Sequence, residues 1–169
     1  MNEEPKLVTY FRNFIFGVED SLVSTVGLLS GIAVASVSRS TILVAGIILI
    51  LVEAFSMGAG SFLSEHSAED YIHGDQNKSR KPIIGSIIMF CSYFVSGFIP
   101  LFPYIILPVQ TAFWVSIGLS LGALFILGII SGKISKTGII KSAFRMTIIG
   151  GVAIAIGVIV GKILAGLNV

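Results

Sequence analysis

The sequence predicts an all-α integral membrane protein with five transmembrane helices, and two observations carry that prediction. The chain is 54% hydrophobic and only 12% charged over 169 residues, with a mean hydropathy of +0.98, whereas soluble domains carry about 25% charged residues. Its apolar residues also fall into five runs, about 14–37, 41–64, 83–104, 111–132 and 146–167. Each is close to the roughly 20 residues that a helix needs to cross a bilayer. The whole chain, 1–169, reads as one transmembrane domain without room for a sizeable soluble unit.

The elements follow in order. The opening MNEEPKLVTYFR lacks the clean basic start and the cleavage site of a signal peptide, so the first run is expected to remain as a span. SVSRST, around Arg39, separates the first and second spans. The long polar stretch from Glu65 to Pro82 forms the second-to-third connection, and Gly74 suits a helix end within it. Pro100, Pro103 and Pro108 predict that the third span ends near them, because proline removes a donor from a helix interior. SGKISKTGIIKSAFR joins the last two spans. Cys91 is the only cysteine, which excludes an intrachain disulfide, and its apolar setting predicts a buried, inert thiol.

Basic residues set the direction. Lys6, Arg12, Lys78, Arg80, Lys81, Lys133, Lys136, Lys141 and Arg145 fall on one side of the five-span arrangement, and only Arg39 and Lys162 on the other. The positive-inside rule then places the N-terminus in the cytoplasm and the C-terminus opposite. Four glycine pairs have the spacing that lets helix backbones approach: Gly27–Gly31, Gly118–Gly122, Gly128–Gly132 and Gly157–Gly161. They serve either packing within the chain or a homodimer.

Three acids lie inside the spans: Glu19, Asp20 and Glu53. Each would cost about 2.5–3.5 kcal/mol at the bilayer centre, and such residues mark functional sites by default. No Lys or Arg lies deep in a span, so compensation must come from a long basic side chain reaching in, from protons, or from a bound cation. Burial favours a protonated carboxyl and a nearby cation favours the ionised one, so these acids suit an exchange of protons for metal. Asp20 lies about 9 Å into the first span and Met57 about 10 Å into the second, with Glu53 one turn deeper on the same face as Met57. A carboxylate beside a thioether suits Fe2+ or another first-row transition ion better than Mg2+ or Ca2+. Met57 has packing as its alternative role, and Glu53 a structural hydrogen bond. Ser61, Glu65 and Glu69 continue the Glu53–Met57 stripe to a cytoplasmic mouth if the second helix projects that far. His66–Asp70 and Glu69–His73 are further i,i+4 pairs, expected on a solvated face. Met89 and Met146 are read as packing.

These residues carry a family resemblance. GVEDSLVSTVGLLSG, Gly17 to Gly31, is similar to the Gly-x-Asn-Asp-Gly-x-Val-Ser/Thr signature of the vacuolar iron transporter family, and EAFSMGAGSFLSEHSAED, Glu53 to Asp70, resembles its Ser-Met-x-x-Gly-x-x-Ser pattern. The resemblance implies a dimer that moves Fe2+, sometimes Mn2+, out of the cytosol in exchange for protons along a path between protomers. It implies metal-handling roles for Asp20 and Met57. Glu19 and Ser21 depart from the family's Asn and Gly, and Ser61 stands where many members carry Glu. The 18-residue connection also leaves no room for the metal-binding domain of longer members, so the chain resembles a short branch.

The sequence therefore leads to a proton-coupled divalent-metal transporter with the metal as substrate and no resident cofactor. A passive cation channel and a non-transporting scaffold subunit are the alternatives. The expected partners are membrane lipid, a second copy of the chain, a divalent metal ion and protons, with no nucleic acid. The membrane is the cell membrane in a prokaryote or the vacuolar membrane in a eukaryote. No nucleotide motif or nucleophile constellation points to an enzyme.

Overall fold

A computed structural model describes residues 4–73 and 80–167. They form five helices: α1 Glu4–Val34, α2 Arg39–His73, α3 Lys81–Ile106, α4 Val109–Ile134 and α5 Ile139–Gly166. All five are long and apolar enough to cross a membrane. Short connections at 35–38, 107–108 and 135–138 turn successive helices back on one another. Gly74, Lys78 and the side chain of His73, with its pairing to Glu69, lie outside the described residues.

Two boundaries differ from the sequence reading for physical reasons. Pro100 and Pro103 do not end the third span but lie inside α3. The Ser116 hydroxyl donates to the Pro100 carbonyl at 2.7 Å, and the Leu107 N–H reaches the Pro103 carbonyl at 2.9 Å. The helix stops at Leu107, whose extended backbone (φ −112°, ψ 155°) is the conformation that a following proline, here Pro108, imposes. At its far end α2 runs past Ser64 to His73, since no glycine or proline interrupts residues 61–73. The connection between α2 and α3 is therefore partly helical.

Arg39, one of the two basic residues on the sparsely charged side, is explained by helix capping. Its guanidinium donates to the Tyr104 carbonyl at 2.7 Å and to the Ile105 carbonyl. A cation thus meets the orphan carbonyls and negative end of α3.

Helix α1 is the centre of the bundle and touches all four others, most extensively α3 and α5. Close approach to α5 depends on glycine. A Cβ at Gly157 would collide with the Gly27 carbonyl oxygen, and one at Gly161 with that of Gly31. Gly128 and Gly132 likewise make room for Ala143, Ser142 and Ile139 of α5, whereas Gly118 and Gly122 face open space. Three of the four glycine pairs therefore pack within the chain. One buried cluster joins Leu29, Ile42, Ile50, Leu101, Tyr104 and Ala112, and a second joins Ile15, Leu22, Leu124, Leu127 and Met146. The outward faces of α2 and α5 stay apolar and exposed, through residues such as Val52, Phe55, Ile156 and Ile163, as helices facing lipid require. Cys91 is exposed on α3, so the expectation of a buried thiol is overturned: its position on the helix turns it outward, away from α1.

Gly157→Leu should force α1 and α5 apart and destabilise the bundle by at least the roughly 1–3 kcal/mol of an overpacked core. Gly122→Leu, which meets open space, should leave the monomer's packing intact. Thermal unfolding of the two purified variants in detergent measures the difference.

Candidate functional site

The site is built on the face of α1 that meets α3. Small residues let these helices approach. A Cβ at Gly17 would collide with Ser92, and one at Gly97 would stand 2.9 Å from the Ser21 hydroxyl oxygen. The Ser21 hydroxyl donates to the Tyr93 carbonyl at 2.7 Å. Helix α2 packs on α3 through the buried stripe Gly46, Ile50, Ala54 and Gly58. Its neighbouring stripe, Glu53, Met57, Ser61, Glu65 and Glu69, is left half-buried.

At the basic end the three helices meet in a polar network. Asn13, 2% exposed, donates to a Glu65 carboxylate oxygen at 2.6 Å and to the Ser61 hydroxyl at 3.1 Å. Ser61 donates to the same carboxylate at 3.3 Å, and Arg12 stands 3.9 Å from it. Gly85 of α3 leaves the space that this network fills, because a Cβ there would lie 2.7 Å from both the Asn13 amide nitrogen and Glu65. Below the network a cleft of about 660 Å³ runs inward past Phe16 and Gly60 to Met57 and Met89. It is a concave, mostly apolar space with a few convergent polar groups, as ligand sites are.

The Asn13–Glu65 bond also fixes depth. Asp20 lies seven residues beyond Asn13, and Met57 eight residues back from Glu65. Both are therefore about 10–12 Å inward at 1.5 Å per residue. Asp20 is half-buried and close enough to Glu53 for their charges to interact. Tyr93, fully buried, lies within the influence of both carboxylates, and its hydroxyl is 2.7 Å from that of Ser24. Glu19 turns a different way, and the nearby charge of opposite sign is Arg145 of α5. The adjacent acids thus belong to different surroundings, as about 100° of helix rotation between neighbours requires.

Of the residues singled out from sequence, Asp20 and Glu53 come together, while Met57, Ser61 and Glu65 line or close the cleft. Glu19 stands apart beside Arg145. Glu69 takes no part in the cleft lining. His66 and Asp70 form an exposed pair at 3.7 Å on a solvated face. Among the described residues of one chain, no three His, Cys, Asp or Glu side chains converge to hold a metal. Three members went unread in the sequence. Tyr93 is a polar group within an apolar run and Asn13 borders one, a signal available but unused. Met89, read as packing, is buried yet lines the cleft with Met57. Only the approach of α1 to α3 shows its second role. Met146 does pack in the core.

The arrangement defines a polytopic helical membrane protein with carboxyl groups inside the bundle and a cleft lined by Glu65 and the thioethers of Met57 and Met89. The profile of the VIT family matches residues 11–86 and 73–162, and the chain belongs to that family. It is similar to vacuolar iron transporter 1 of Arabidopsis thaliana, with 24% identity over 90% of this chain and 85% of the plant protein. It is 26% identical to vacuolar iron transporter 1 of Tulipa gesneriana, over 85% and 83%. An uncharacterized protein of Methanocaldococcus jannaschii is 28% identical over 86% and 84%. The Arabidopsis alignment runs over 212 positions and the archaeal one over 163. The plant protein thus carries residues without a counterpart here. The two profile matches meet between 73 and 86, where this short form joins α2 to α3 directly.

Asn13→Ala should strip the buried partner from the Glu65 carboxylate. A double-mutant cycle with Glu65→Gln, read by thermal stability, should give a coupling of about 1–3 kcal/mol. Additive effects would show that the two side chains do not interact.

Proposed function

We propose that this protein is a proton-coupled transporter that moves divalent transition metal, Fe2+ and also Mn2+, out of the cytosol. The observation that carries this reading is that Asp20 and Glu53 lie within each other's electrostatic reach, at about the depth of Met57, which lines the cleft with Met89. The names of the plant relatives, vacuolar iron transporters, support the same substrate class. The basic end of the bundle is cytoplasmic in this reading, by the positive-inside rule. Metal comes in past Glu65 and Ser61. Asp20, with Glu53, gives up protons to accept it, and Met57 supplies a soft thioether that disfavours Mg2+ and Ca2+. Glu19 raises the local negative charge near Arg145 without ligating. After a change in shape, protons arriving from the far side displace the ion.

A second copy of the chain completes the site. Among the described residues of one chain no three His, Cys, Asp or Glu converge, and the Glu53–Met57 stripe of α2 is half open. A homodimer that brings two such stripes together supplies the missing donors. The open Gly118–Gly122 face of α4 offers a further close-approach surface.

Purified protein in liposomes should take up Fe2+ only when a pH gradient is imposed. Asp20→Ala and Met57→Ala should each lower the initial rate at least tenfold. Uptake independent of the gradient would make the protein a passive channel. Wild-type rates in both variants would refute the site.

A further inference from the structure

The turn between α4 and α5 builds a second polar pocket, away from the cleft. It encloses about 340 Å³ and is lined by Ser131, Ser135, Thr137, Lys141, Ser142 and Arg145. Two cations and four hydroxyls thus face one space, and no carboxylate lines it. The pocket lies at the start of α5. Its N-cap residue, Gly138, offers no side-chain bond to the first turn, and the first backbone bond there is from Ser142 N–H to the Gly138 carbonyl at 2.9 Å. The preceding N–H groups and the positive end of the helix dipole are left for an anion.

Ser142 is the independent sign of a ligand. It is only 6% exposed, lines the pocket, and its hydroxyl has no protein partner among the described residues. The buried serines of α3 and α4 behave differently: Ser92, Ser96, Ser116 and Ser120 each donate to a main-chain carbonyl. The Ser142 side chain is enclosed by protein while its hydroxyl stays open to the pocket, where a bound acceptor would meet it.

Around the pocket the surface is apolar. Ile134, Ile139, Ile140 and Phe144 are all exposed. Cations and donors that converge beside exposed aliphatic surface match a group with a phosphoryl head and acyl chains. We propose that this pocket binds the phosphoryl headgroup of an anionic phospholipid in the leaflet at the basic end. The phosphoryl oxygens accept from Lys141, Arg145, Ser142 and the α5 N-terminus, and the chains lie along Ile140 and Phe144. Arg145 also stands near Glu19, so the bound lipid shares with Glu19 a cation close to that acid. This places lipid occupancy next to the transport helix α1, but the pocket stands whether or not the transport reading does.

Native mass spectrometry of the delipidated protein, titrated with phosphatidylglycerol and with phosphatidylcholine, tests the proposal. Wild type should retain phosphatidylglycerol about tenfold more strongly. Lys141→Gln and, separately, Ser142→Val should remove most of that preference, and Lys162→Gln at the other end of α5 should keep it. Unchanged helicity and elution volume show that each variant is folded, and Ser142→Val leaves the net charge untouched. Equal retention of the two lipids, or equal loss in Lys162→Gln, overturns the proposal. Inorganic phosphate supplies the third arm: if it stabilises wild type but not Lys141→Gln while the lipids bind alike, the pocket takes free phosphate and the lipid assignment fails.

Discussion

Asp20 and Glu53 place two carboxyl groups within each other's field inside an apolar bundle, and among the described residues neither forms an ion pair with a basic side chain. Arg12 with Glu65 and His66 with Asp70 form ion pairs at the periphery. Like charges in a medium of low dielectric repel strongly, so a cation held at this depth would relieve the pair. Much of the architecture serves to hold the two carboxyl groups there. Helix α1 must hold Asp20 against α2 and α3, and small residues at Gly17, Ser21, Ser92 and Gly97 permit the contact. On its other side Gly157 and Gly161 bring α5 to backbone contact, which keeps α1 from turning its acid toward lipid.

The Asn13–Glu65 contact has a different task. It is the polar bond that joins α1 to α2 at the mouth, and it sets their register, which puts Asp20 and Met57 at one depth. It also keeps a carboxylate at the mouth largely buried yet satisfied by two hydrogen-bond donors, with the Arg12 charge 3.9 Å away. Buried polar groups with full partners specify one arrangement more sharply than apolar packing does. The metal route proposed above therefore passes a gate whose geometry is defined by hydrogen bonds rather than by bulk.

Much of this was legible in the sequence, and the parts that were not share a cause. Five spans, the charge asymmetry and the intramembrane acids are properties of single segments, and hydropathy reports them directly. The Asp20–Met57 level followed from residue spacing alone. The cleft-lining role of Met89 needed knowledge of which helix faces α1, a tertiary fact that no single segment encodes. Glycine spacing likewise marked the close approaches without saying which helix was the partner, and Gly27 turned out to meet α5 of the same chain. Pro108 marked the end of α3 correctly, while Pro100 and Pro103 are accommodated inside it, the Pro100 carbonyl accepting from Ser116 across helices.

The connection between α2 and α3 is short, so in the proposed reading the transmembrane bundle itself discriminates among ions. In the proposed reading the choice falls to one hard and one soft ligand type within a site completed by a second copy. Anomalous diffraction from crystals soaked in Mn2+ tests that claim most directly. The account predicts a peak bounded by Asp20, Glu53 and Met57, with ligands from both protomers. A peak confined to Glu65 at the mouth, or none at the Asp20 level in a fully formed dimer, would contradict it.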